Sequence, residues 1–152
     1  MNGALTLGTL DGANVEIHEE VGDENMFLFG LRAEEVAKLR PTYISKSFYE
    51  KDPEIKAALD MIKANAFCVL EPGLFDPIIR SLLEYNDYYM LLADLRAYCE
   101  AQDRVDATYR DAKKWNRMSL VNIARSGLFS SDRAVQEYCD EIWHIKPVKF
   151  SC

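Results

Sequence analysis

The run from Asn2 to Ile17, NGALTLGTLDGANVEI, constrains this chain more than any other segment. Leu5, Leu7 and the Thr6/Thr9 pair read as a short buried strand, because β-branched and apolar residues suit a pleated surface covered on both sides. Gly8 and Gly12 give the backbone freedom to turn, and Asp11 or Asn14 is expected to cap the helix that follows. A strand this apolar belongs inside a parallel sheet with neighbours on both edges. The helix, Val15 to Val21, carries acidic residues in its first turns, where the positive end of the helix dipole favours them, and Gly22 stops it. Met26 to Phe29 then forms a second apolar run of strand type. The result is a strand, helix, strand unit over residues 1–31 whose two short strands make only part of a sheet.

From Ala33 onward the apolar spacing is helical, so residues 32–152 read as an α-rich region. Leu31, Val36 and Leu39 define a short helix ending before Pro41. Ser45 to Glu50 gives one or two turns. Asp52 caps a further helix with Pro53 at its first position and Ile55, Leu59, Ile62 and Phe67 along one face. Beyond the Glu71-Pro72-Gly73 break, Phe75, Ile78, Ile79, Leu82 and Leu83 define another, and Asp87 to Leu92 reads as extended. A long helix begins near Ala93 with Leu95, Tyr98, Val105 and Tyr109. The next runs from about Asp111 through Trp115, Met118, Val121 and Ile123 to the Ser126-Gly127 stop. Ser131 or Asp132 is expected to cap a last helix, Arg133 to Trp143, which Pro147 prevents from continuing.

Composition excludes several classes. With 152 residues and 49% hydrophobic content the chain holds one ordinary core or one piece of a larger one. A formal net charge of −7 argues against binding nucleic acid. The one notable basic run, Arg110, Lys113, Lys114 and Arg117, is interleaved with Asp106 and Asp111 and reads as a solvated helix face. Cys68, Cys99, Cys139 and Cys152 show no CxxC spacing and read as reduced thiols. No apolar stretch approaches the roughly 20 residues that span a bilayer, and no signal peptide is evident, so a cytoplasmic protein is expected.

Candidate chemistry is sparse. Gly8 and Gly12 match neither a dinucleotide fingerprint nor a P-loop, and Asp11 between them would repel an anion, so a structural turn is the better reading. His18, beside Glu16 and Glu19, has no second histidine one turn away and reads as an exposed helix residue. His144 is placed to interact with the end of the last helix. Asp94, Glu100 and Asp103 read as solubilising. Phe48, Tyr49, Tyr85, Tyr88 and Tyr89 are able to stack on sugars but read first as packing between helices. No nucleophile elbow and no cysteine with a local histidine is present. The residues alone describe an α-rich chain without a self-contained active site, and no residue is assigned a catalytic, cofactor-binding or metal-binding role.

The opening motif closely resembles a stretch in the C-terminal domain of the glycogen and α-glucan phosphorylases. The similarity continues through Glu24 to Gly30, Asp94 to Tyr109, Trp115 to Met118, Asn122 to Gly127, Phe129 to Arg133 and Glu141 to Trp143. This resemblance implies an α/β, Rossmann-type glycosyltransferase-B architecture in the parent, with pyridoxal phosphate on a lysine. It also implies release of glucose 1-phosphate from α-1,4-glucans by inorganic phosphate, and a homodimer. In the family, the cofactor lysine and the glycine-rich turn beside it lie just upstream of the position matching Asn2. The resemblance therefore implies the C-terminal part of the cofactor-binding domain, inactive and without bound cofactor on its own, partnered by the rest of the phosphorylase chain. Unpaired strand edges and unburied apolar faces are expected, with Tyr138, Ile142 and Trp143 turned toward an absent domain. A free-standing helical module that binds a full-length phosphorylase is the alternative. A nucleotide-sugar enzyme of the same architecture is disfavoured by the motif.

Overall fold

Two strands do form, and they are shorter than the apolar runs that contain them. In the computed structural model, which describes residues 2–146 and 148, strand β1 is Leu7–Gly8 and strand β2 is Phe27–Leu28. They pair in parallel, Leu7 opposite Phe27 and Gly8 opposite Leu28. Phe27 N–H donates to Thr6 C=O at 2.9 Å and Phe29 N–H to Gly8 C=O at 3.2 Å. Between them lies α1, Ala13–Val21, which ends where Gly22 takes φ 76° and donates its N–H to His18 C=O. Among the described residues each strand has this one neighbour, so the outer edges are unpaired as expected.

Helices supply the rest. They are α2 (Ala33–Leu39), α3 (Ser45–Lys51), α4 (Pro53–Lys63), α5 (Asp76–Ile79), α6 (Leu91–Arg110), α7 (Ala112–Ala124) and α8 (Ser131–Glu137). Asp52 caps α4 as predicted, its carboxylate accepting from Glu54 N–H and Ile55 N–H. The face of α4 delivers Ile55 and Leu59 into a buried cluster with Ile79 and Leu92, around which Phe48, Tyr49, Ile62, Leu82, Leu83 and Leu95 pack. Helix α6, about 30 Å long at 1.5 Å per residue, is the spine. Its first turns close the helical core. Farther along, Tyr98 meets Phe29 edge to face at 5.2 Å, and the Arg104 guanidinium donates to Leu28 C=O at 2.7 Å. Helix α7 follows after Asp111, placing Trp115 6.5 Å from Phe27 and Ser119 Oγ 2.8 Å from Gly3 C=O, to which it donates.

Several expectations are corrected. Neither Asp11 nor Asn14 caps α1. Gly12 occupies the cap position, and those two side chains are drawn to Thr9 instead. Phe67 lies past the end of α4, in a loop against Phe75 rather than on the helix face. The helix around Phe75 to Leu83 is four residues of α-helix followed by a π-helical stretch, Arg80–Glu84. Asp87 to Leu92 is not extended but a tight turn leading into α6, with Asn86, Asp87 and Met90 at positive φ. The last helix is capped by neither Ser131 nor Asp132. Ser130 precedes it without a side-chain cap, and after Glu137 it widens into a π-helical segment, Tyr138–Trp143. Met1, Pro147 and residues 149–152, Cys152 among them, lie outside the described residues, so the stop assigned to Pro147 falls there as well.

Candidate functional site

The turn between β1 and α1 is where a phosphate cradle would have to be. It is filled by the chain itself. Asn14 Nδ2 donates to Thr9 C=O at 2.9 Å and lies so close over Gly8 that an added Cβ there would stand 2.6 Å from it. A side chain at Gly8 would push the Asn14 carboxamide off its bond to Thr9. Thr9 Oγ1 donates to Asp11 Oδ2 at 3.1 Å, and the Asp11 carboxylate sits before the first turn of α1. A negative charge and an inserted carboxamide thus occupy this helix start.

The histidines behave differently from each other. His18, expected to be exposed, is half-buried, and its Nε2 lies 2.6 Å from Asp23 Oδ1 across the Gly22 bend. His144 Nδ1 lies 2.8 Å from Asp140 C=O, at the end of the last helix where it was expected. Among the described residues no group of three His, Cys, Asp or Glu side chains is placed to hold a metal ion. Cys68, Cys99 and Cys139 are free thiols. The basic run is exposed, with Arg110 paired to Asp106 at 2.7 Å and Asp111 capping α7 through Lys114 N–H.

Asp94 is not merely solubilising. Its Oδ1 accepts from Leu31 N–H at 2.8 Å, and its carboxylate packs so close to Gly30 that a Cβ there would meet it at 2.9 Å. Burial pushes the Asp94 carboxyl above the ordinary aspartate value. Glu100 and Asp103 are exposed, as expected. The aromatic group divides. Phe48 and Tyr49 pack beside the helical core, Tyr49 donating to Asp60 Oδ1 at 2.6 Å, whereas Tyr85, Tyr88 and Tyr89 stand in solvent.

One constellation has no counterpart in the sequence reading. Asp87 is buried, accepts from Tyr43 O–H at 2.7 Å and from Leu92 N–H at 2.8 Å, and so links the segment after α2 to the start of α6. Asn86 completes the clasp by accepting from Ser45 N–H and donating to Tyr43 C=O, both at 2.8 Å. Burial, followed by the Asp87 carboxylate, raises the Tyr43 phenol well above its ordinary pKa. The signal available was the Asn-Asp pair itself, two residue types that tolerate left-handed backbone and bond back to local main chain.

A pyridoxal cofactor requires a lysine amine held in an enclosed pocket, with backbone or cationic donors around the cofactor's phosphate. Every lysine among the described residues is exposed, and Lys56 is engaged by Asp60 at 2.5 Å. With the turn after β1 closed by Asn14 and Asp11, the described residues do not fit that cofactor by themselves.

A parallel pair of strands joined through a helix and covered by α6 and α7 is an α/β unit. A family model described as carbohydrate phosphorylase matches residues 1–145, and the chain belongs to that family. The liver form of glycogen phosphorylase from Homo sapiens is 48% identical over 148 residues, which are 97% of this chain and 17% of that protein. Glycogen phosphorylase from Synechocystis is 49% identical over 149 residues, again 97% of this chain and 17% of the relative. The Bacillus subtilis protein of the same name is 47% identical over 150 residues, 97% of this chain and 19% of its own length. The chain thus spans less than a fifth of each of these relatives.

Proposed function

We propose that this chain is the C-terminal segment of the cofactor-binding domain of an α-1,4-glucan phosphorylase. In this reading residues 1–31 contribute a strand, helix, strand piece to a larger parallel sheet and residues 32–152 cover it with helices. The parent enzyme releases glucose 1-phosphate from α-1,4-glucans with inorganic phosphate, carries pyridoxal phosphate, and works as a cytoplasmic homodimer. The segment contributes scaffold and no catalytic or cofactor-binding residue, and it is inactive alone.

The observation that carries the proposal is the match along nearly the whole chain to less than a fifth of each phosphorylase. The surface supports it. Among the described residues both strands have open edges, and Leu120, Ile123, Tyr138, Ile142 and Trp143 are exposed apolar side chains of the kind a neighbouring domain covers. The test is to purify the chain, assay phosphorolysis and record pyridoxal absorbance, then add the complementary portion of a related phosphorylase. Alone it should show neither activity nor cofactor, and the mixture should produce glucose 1-phosphate. Activity or bound cofactor in the isolated chain overturns the inactive-segment reading. Failure to assemble with the complement, together with binding to an intact phosphorylase, would favour the interaction module instead.

A further inference from the structure

Tyr85, Tyr88 and Tyr89 are 72%, 67% and 79% exposed, and all three belong to the turn between the π-helical stretch after α5 and the start of α6. The turn is built under constraint. Asn86, Asp87 and Met90 take φ of 59°, 44° and 57°, conformations that residues with a Cβ hold only when their surroundings impose them. The surroundings are the Tyr43, Ser45 and Leu92 hydrogen bonds to Asn86 and Asp87, with the Met90 side chain buried beneath. Fastening those residues inward leaves Tyr88 and Tyr89 facing out on a fixed support.

Their rings meet edge to face, centroids 5.1 Å apart with planes at 89°. The Arg40 guanidinium carbon lies 4.9 Å from the Tyr88 ring centroid, and its Nη1 donates to Tyr88 C=O at 3.4 Å. The patch therefore joins aromatic faces, phenol hydroxyls and a guanidinium with further N–H donors. A pyranose has the complementary chemistry, a C–H face for the ring and a rim of hydroxyls for the polar edge. The aliphatic side chains of Val69 and Leu70, though more exposed, offer no such edge.

We infer that the Tyr88–Tyr89 pair, with Arg40 at its side, is a surface site for an α-1,4-linked glucan chain. The choice of sugar rests on the phosphorylase reading. The test is affinity electrophoresis of the whole chain in native gels containing glycogen, with maltoheptaose as soluble competitor and a β-linked glucan as control. Glycogen should retard the chain, maltoheptaose should relieve the retardation, and the β-linked polymer should have no effect. The Tyr88→Ala/Tyr89→Ala variant should bind about tenfold more weakly, the scale of losing two aromatic contacts, with its circular dichroism and melting unchanged. Tyr88→Phe/Tyr89→Phe, which keeps the faces, should retain part of the binding. Equal mobility with and without glycogen, retardation unaltered in the alanine variant, or equal retardation by the β-linked glucan overturns the inference. So does concentration-dependent self-association that depends on the two tyrosines without any glucan effect. If the complemented mixture is active while glycogen leaves the chain's mobility unchanged, this inference alone fails. Specific retardation without complementation leaves the site standing and removes the segment reading.

Discussion

Helices α3 to α6 bury Ile55, Leu59, Ile79 and Leu92 against one another, whereas β1 and β2 bond to each other over two residues apiece and take their cover from α6 and α7. The helical half carries its own apolar cluster and its own polar clasp at Asp87. The sheet half buries Met26 and Phe27, packs Phe27 on Trp115 and Phe29 on Tyr98, and adds polar reaches from outside it: Asp94 to Leu31 N–H, Arg104 to Leu28 C=O, Ser119 to Gly3 C=O. The difference teaches that the helical core closes on itself, whereas the sheet closes only against α6 and α7, so the two are coupled through those helices.

The largest break of that comparison is Ile55→Ala. Ile55 is 2% exposed at the centre of the helical cluster, and truncating it removes transfer energy and leaves a cavity, together costing about 2–5 kcal/mol. Urea unfolding should show the loss, and the sheet should melt with the helices. A sheet that survives helical unfolding would mean that the halves are independent.

Gly30→Ala comes next. Gly30 has φ 79°, and a Cβ there would meet the Asp94 carboxylate at 2.9 Å and Thr9 Cγ2 at 3.0 Å. Left-handed strain plus the displaced carboxylate should cost about 1–3 kcal/mol. Amide exchange should accelerate at Phe27, Phe29 and Leu31 while Leu59 and Ile62 stay protected. Uniform acceleration would place Gly30 in the common core.

Much of the helical half was legible because its signals are local. Asp52-Pro53 announces a capped helix start, and the turn that bonds to it lies within three residues. The sheet half was legible as strand, helix, strand for the same reason, Gly22 and Gly30 marking its bounds. What escaped was set by partners distant in sequence. Asp94 reads as surface until β2 brings Leu31 against it, 63 residues away. Asp87 to Leu92 reads as extended because the chain gives no local hint that Tyr43, 44 residues upstream, will bury Asp87. The outward tyrosines were misassigned for that reason, since their exposure follows from the clasp beneath them. The π-helical ends of α5 and α8 left no residue signature, and their apolar spacing is that of an ordinary helix.

Two carboxylates sharpen the comparison through pH, with opposite signs. Asp52 accepts from Arg96 Nε at 2.6 Å and Nη2 at 2.5 Å, and these bonds, with the N–H groups of Glu54 and Ile55, hold its pKa down to about 2. Because the folded pKa lies below the unfolded one, its contribution is full above the unfolded value, near 3.8, and is lost as pH falls toward 2. Asp52→Asn should flatten the acid limb of stability measured by denaturant midpoint between those values. An unchanged limb would show that the Arg96 link is open in solution.

Asp94 should give the smallest effect and the reverse slope. Burial raises its folded pKa above 3.8, so the folded chain holds the proton more tightly than the unfolded chain does. Its contribution is therefore favourable at low pH and declines as pH rises from the ordinary aspartate value, 3.8, through the raised folded one. Asp94→Asn keeps an oxygen to accept from Leu31 N–H and removes the titrating charge, so stability at neutral pH should hold or rise slightly and the declining slope should vanish. If neutral-pH stability instead falls sharply, with exchange accelerated at Leu31, the charge itself is what fastens the sheet to α6, and the sheet half depends on electrostatics rather than on packing and backbone bonds.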